Sequence, residues 1–188
     1  MIVVLAGRRI DAEDADPVRF PSDHIEKVKD KLSSFFIANK PDYLVCSGAC
    51  GADLIALEVA GKLNIKRKMV LPFDANTFRS TSVTDRKGDW GSLFDTICTD
   101  LNEGSNVIIL DFTKDDKDAY EKTNVAILKT ADALFEKVKE KKTDPALVKK
   151  VAVIIWEGKP KDSNDTTDHF RQLAIKRDYE IKEINSLH

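Results

Sequence analysis

The sequence has no strong charge of either sign, no long apolar run and few side chains suited to a metal. Thirty basic and 32 acidic residues among 188 leave a formal charge of −2. That near-balance withholds the broad cationic footprint that a duplex-DNA binder needs. No apolar run approaches the roughly 20 residues of a membrane span, so no membrane partner is expected. The apolar start from Met1 to Gly7 is too short for a signal-peptide core, and no basic flank precedes it. The three cysteines, Cys46, Cys50 and Cys98, have no framework spacing, which suggests a reducing compartment and a cytoplasmic protein. No second cysteine pair follows Cys46 and Cys50, and His24, His169 and His188 are scattered, so no metal site is expected. Neither a complete G-x-G-x-x-G nor a G-K-[ST] is present, and no cofactor is expected.

What is present is the composition of an ordered protein, 42% hydrophobic and 33% charged. The length suits one domain over residues 1–188, and no repeat or linker interrupts it. Short β-branched runs recur at Ile2 to Leu5, Tyr43 to Cys46, Lys68 to Leu71, Val107 to Leu110 and Val151 to Trp156. Each is nearly continuous, the pattern of strands buried on both faces of a parallel sheet. Tyr179 to Ile184 alternates strictly and reads as an edge strand with one wet face.

Helical stripes lie between the runs. Ile25, Val28, Leu32, Phe35 and Phe36 share a face, with Asp23 and Glu26 resembling a capping box. Ala52 to Leu63, Trp90 to Leu101, Lys117 to Lys139 and Thr166 to Lys176 carry the other stripes. The expectation is α/β: a single Rossmann-like domain, a mostly parallel sheet of about six strands, and helices on both faces. The lysines between Lys137 and Lys150 read as a solvated helix end and a turn, or as a small anion- or RNA-facing patch, in which no interleaved aromatic would stack on bases.

In an open parallel sheet, ligands sit beyond the carboxyl ends of the strands. After the first strand come Gly7, Arg8 and Arg9, with Arg19 further along a long connection. Glycine admits a close approach, and arginines offer forked donors for phosphate. After the second come Ser47, Gly48, Ala49, Gly51 and Asp53, running straight into a helix. Small residues at a helix N-terminus present backbone N–H groups to an anion. Tight-turn packing alone is the other reading of those glycines. Pro72 after the third strand could wall a base or ribose. After the fifth come Trp156, Glu157 and then the polar run Ser163 to Asp168, including Thr166 and Thr167, where N-capping and ligand contact both fit.

These segments, in this order, resemble the superfamily that joins the Lonely guy phosphoribohydrolases with the Smf/DprA DNA-uptake proteins, called SLOG. The matching stretches are Leu5 to Asp11 with Arg19 to Pro21, Cys46 to Asp53, Leu71 to Phe73, Gly88 to Trp90 with Phe94, and Val153 to Pro160. The resemblance covers nearly the whole chain and is strongest to uncharacterised bacterial members. It implies a Rossmann-like fold that binds a nucleotide, a nucleotide sugar or an ADP-ribose derivative, with a homodimer among the expectations. The phosphoribohydrolases carry P-G-G-x-G-T-x-x-E before the last helix. Here the stretch is Asn164 to His169: the glycine doublet is missing, Thr166 matches the threonine, and His169 falls where the glutamate would be.

Four readings follow. The first is a nucleotide-derivative binding domain, expected to serve as a signalling sensor: Gly48, Ala49 and Gly51 hold phosphate, Arg8, Arg9 and Arg19 neutralise it, and Thr166, Thr167 and Asp168 hold a ribose or second phosphate. The second is an N-glycoside hydrolase in which Asp168 or Glu157 stabilises the cationic sugar or activates water. The third is a single-stranded DNA binder, which the charge balance disfavours. The fourth is a structural domain with a degenerate site.

Overall fold

The computed structural model describes residues 1–102 and 106–188. Six parallel strands form one sheet in the order β4-β3-β2-β1-β5-β6. They are β1 (Ile2–Gly7), β2 (Tyr43–Cys46), β3 (Lys66–Leu71), β4 (Val107–Ile109), β5 (Lys150–Trp156) and β6 (Glu180–Asn185). The helices are α1 (Ile25–Asn39), α2 (Ala52–Lys62), α3 (Ala75–Ser82), α4 (Trp90–Asn102), α5 (Ala119–Lys141) and α6 (Thr166–Ile175). This is the expected α/β, Rossmann-like architecture.

The period of two along a strand sends alternate side chains to opposite faces, and both faces are covered. Val3, Leu5, Leu44, Cys46, Met69, Leu71, Val153 and Ile155 pack one core with α1, α2 and α4. Ile2, Val4, Val45, Val70, Ala152, Ile154 and Trp156 pack the other with α5 and α6. Double burial explains why these runs are continuous rather than alternating. In β6, at the sheet edge, Ile184 is buried while Glu180, Lys182 and Glu183 are exposed.

Two local expectations are corrected. The capping box at Asp23 and Glu26 does not form: a 3-10 turn, Ser22–His24, precedes α1, and the N-cap falls on His24 with no side-chain cap. α3 is not among the helices expected from the sequence, yet Asp74 caps it by accepting the Thr77 N–H. Among the described residues no helix is long and apolar enough to cross a membrane.

The chain leaves β1 toward β2, β3 and β4, and then α5 carries it back across the sheet to β5 on the other side of β1. The order therefore reverses between β1 and β5. At such a switch point the connections leave the two strands in opposite directions and open a crevice.

Candidate functional site

A cleft of about 280 Å³ opens at that crevice. Its floor is Leu5, Ala6 and Gly7 at the end of β1. Arg9, Ser47, Ala49 and Asp53 line one side, Thr166 and Thr167 at the start of α6 another. Phe78 and Ser82 of α3, with Tyr120, Thr123, Asn124 and Ile127 of α5, complete the wall.

Close backbone packing builds this corner. A Cβ on Gly7 would stand 2.5 Å from the Ala52 Cβ and 2.7 Å from the Ile155 carbonyl oxygen. Gly51 has φ +100°, and a Cβ there would stand 2.6 Å from the Ile10 nitrogen. That conformation lets the α2 connection bridge antiparallel to the segment after β1, through Ala52 N–H to Arg8 C=O (3.1 Å) and Ile10 N–H to Cys50 C=O (3.3 Å).

The two adjacent arginines have different fates. Arg8 is buried, and all five of its donors are committed. Nε donates to Glu157 Oε2 (2.6 Å) and Nη2 to Glu157 Oε1 (3.1 Å). Nη1 donates to both oxygens of Asp165 (2.8 and 2.7 Å), and Nη2 also to the Lys159 carbonyl (2.9 Å). Trp156 packs against this guanidinium, with the Arg8 Cζ 5.7 Å from its ring centroid. Arg8 thus ties the end of β1 to the loop after β5 and to the cap of α6. It has no donor left for a phosphate, contrary to the role expected from its position after β1.

Arg9 points into the cleft instead. Nη2 holds Asp85 and the Cys50 sulfur (3.4 Å). Burial works against its charge, but these contacts outweigh that and raise its pKa. Its Nε is buried without a partner. Among the described residues Nη1 also makes no hydrogen bond.

The polar run before α6 is mainly structural. Asp165 is the N-cap and accepts the N–H groups of Thr167 (2.8 Å), Asp168 (3.2 Å) and Lys161 (2.7 Å). Burial opposes its ionisation, but these N–H groups and Arg8 prevail and hold its pKa below the usual value. Glu157 is likewise buried and likewise held low, by Arg8 and Arg19. A carboxylate engaged by two guanidiniums has little basicity to offer water, and Glu157 does not line the cleft. Asp168 lies outside it too, 3.6 Å from Arg171.

Asp53 is the carboxyl that the cleft does contain. Its side chain belongs to a residue only 8% exposed. Oδ2 accepts the Ala49 N–H at 3.2 Å, and among the described residues Oδ1 has no hydrogen bond. Burial pushes its pKa up to about 7, with the Ala49 N–H and the Arg9 charge offsetting only part of that.

Of the residues expected at a site, Gly7, Arg9, Ser47, Ala49, Asp53, Thr166 and Thr167 line the cleft. Gly48 and Gly51 are buried behind it, where Gly48 packs on Met69 and Phe94. Arg19, Pro72 and Trp156 do not line it. Trp156 sits in the core, and Pro72 is buried. The sequence reading missed Phe78, Ser82, Tyr120, Thr123 and Asn124. They come from the unrecognised α3 and from the start of α5, far from any glycine-rich turn. Among the described residues no group of His, Cys, Asp and Glu is placed to hold a metal.

The fold and cleft define a doubly wound α/β protein with a crevice of mixed polar and apolar lining at its switch point. Chemically, the crevice offers one partly free guanidinium, hydroxyls on Ser47, Thr166 and Thr167 that make no hydrogen bond among the described residues, and an aromatic wall. No known protein family matches the chain, and no curated protein matches it either.

Proposed function

We propose that the chain binds a nucleotide or nucleotide-sugar ligand, of the ADP-ribose kind, in this cleft. The observation that carries the reading is the lining itself. A cation with unused donors stands beside free hydroxyls and an apolar, aromatic wall, all at the switch point of a parallel sheet. Arg9 is the group that neutralises phosphate. Ser47 supplies a hydroxyl donor, and Thr166 and Thr167 face a ribose. Phe78 and Tyr120 give a base an apolar surface. The resemblance to the Lonely guy and Smf/DprA superfamily supports the same reading through its ordered segments, although Arg8 and Glu157 within them are engaged with each other.

Hydrolysis of an N-glycosidic bond is a second reading, and Asp53 is the observation that favours it. A ribosyl cation needs a nearby carboxylate, and among the described residues Asp53 is the carboxyl that lines the cleft. Asp168 and Glu157 do not.

A thermal-shift screen against nucleotides, cyclic nucleotides, NAD and ADP-ribose tests both, with product analysis of each hit. A ligand at 100 times its dissociation constant adds about 2.7 kcal/mol of stability. Binding with intact ligand recovered, abolished by Arg9→Ala, supports the first reading. Released base, lost in Asp53→Asn, supports the second. No shift with any of them refutes both.

A further inference from the structure

We propose that a phosphate-bearing ligand entering this cleft takes up one proton, which lodges on Asp53 and turns that carboxyl into a hydrogen-bond donor to the ligand. This rests on the binding reading above and adds to it a regulation of the same site.

The geometry carries the argument. Asp53 lies in the first turn of α2 at the edge of the cleft, and its own Oδ2 takes the Ala49 N–H there. The side chain is more than nine-tenths buried, lines the cleft, and keeps Oδ1 unpartnered among the described residues. A carboxylate and a phosphate cannot share so small a space as two anions. Like charges within a few ångströms disfavour the ionised form of the weaker acid. Either the ligand is repelled or the carboxyl accepts a proton, and a protonated carboxyl donates where it previously repelled. Burial has already brought Asp53 to about 7, so a small further push completes protonation at ordinary pH.

The surrounding charges leave Asp53 as the titrating group. From the segment after β1 it faces Arg9, a fixed cation that opposes protonation. From β2 it faces the buried Cys46 thiol, which burial and Asp53 itself raise well above the ordinary value. Burial likewise raises Cys50 in the connection, which Arg9 contacts. Tyr120 of α5 directs its hydroxyl to Ser82, 2.9 Å away. Other charged groups on neighbouring elements are paired: Lys29 of α1 with Glu58 of α2, Arg79 of α3 with Asp95 of α4, and Arg67 of β3 with Asp100 of α4. None of His24, His169 and His188 lines the cleft.

The sign follows from linkage. Binding that raises the Asp53 pKa is strongest below the free-state value, where the proton is already present. It weakens as pH rises through that value, by up to about tenfold per pH unit until the bound-state pKa is reached. Isothermal titration with ADP-ribose tests this, because its pyrophosphate keeps a fixed charge over the range used. Wild-type protein and Asp53→Asn are titrated from about pH 6 to about pH 8.5, in PIPES and in Tris, whose heats of ionisation differ.

Proton uptake predicts that wild-type affinity falls with rising pH and that the measured heat differs between buffers. Asp53→Asn, neutral at every pH, binds with nearly constant affinity and little buffer dependence. The wild-type buffer comparison needs no variant, so a misfolded Asp53→Asn protein leaves the test intact. Wild-type binding that is flat with pH and independent of buffer overturns the proposal while leaving the binding reading in place. A pH dependence that persists in folded Asp53→Asn overturns the assignment to Asp53. Absence of ADP-ribose binding by the wild type throughout refutes this proposal and the ADP-ribose reading together.

Discussion

Arg8→Ala removes the guanidinium that bonds two buried carboxylates at once. Glu157 and Asp165 have side chains only 2% exposed, and Arg8 gives them four hydrogen bonds. Glu157 would keep Arg19, and Asp165 would keep its three backbone N–H groups. Arg19 leaves Glu157 one cation, but Asp165 keeps only neutral N–H groups against its charge. A buried ion pair adds little net stability over a well-packed apolar equivalent, but removing one partner leaves a desolvated charge and costs about 3–5 kcal/mol. For a chain of this length that corresponds to a fall in Tm of about 6–20 °C. Chemical denaturation of both proteins at neutral and at acid pH is the assay.

The pH dependence separates charge from packing. Glu157 and Asp165 have lowered pKa values, so their contribution is present above the unfolded-state pKa and drains away as pH falls through the folded one. The gap between wild type and Arg8→Ala therefore narrows in acid. Loss of the guanidinium's contact with Trp156 alone would give a gap that does not depend on pH. A destabilisation below about 1 kcal/mol, or one equal at neutral and acid pH, refutes the strut assigned to Arg8.

Three further outcomes follow from the same geometry. Asp53→Asn should be more stable than wild type above neutrality. The buried acid with a raised pKa loses up to about 1.4 kcal/mol of stability per pH unit between its unfolded value and about 7, and denaturant midpoints across that range check this. Gly51→Ala should lose about 1–3 kcal/mol, because a Cβ at φ +100° meets the Ile10 backbone; a Tm equal to wild type contradicts it. Tyr179→Phe should lose about 1 kcal/mol by deleting the 2.9 Å bond to Asp132, measured by urea unfolding, while leaving ligand binding unchanged.

The sheet was legible because burial on both faces writes continuous β-branched runs, and Tyr43–Cys46 falls where its run places it. α3 was not. It is short and polar, and it buries only Phe78 and Ser82, so no apolar stripe marks it. The carboxyl edge of the sheet was legible as the place to look, but the strand order that sets the switch point and the work of each side chain there were not. Arg8 and Arg9 are neighbours in an extended segment, where successive side chains face opposite ways. Nothing local tells which of the two meets carboxylates 149 and 157 positions further on. The sequence places Asp53 at a helix start among the small residues of a candidate anion site. Only the packing of β1, β2 and α5 around it reveals that it is desolvated.

The most direct test of the cleft is an amide chemical-shift titration of isotopically labelled protein with ADP-ribose. The account predicts the largest changes at Gly7, Arg9, Ser47, Asp53, Thr166 and Thr167, which converge on one crevice from the ends of β1 and β2 and the starts of α2 and α6. Changes confined to the lysine-rich stretch from Lys137 to Lys150, or none at all, would contradict it.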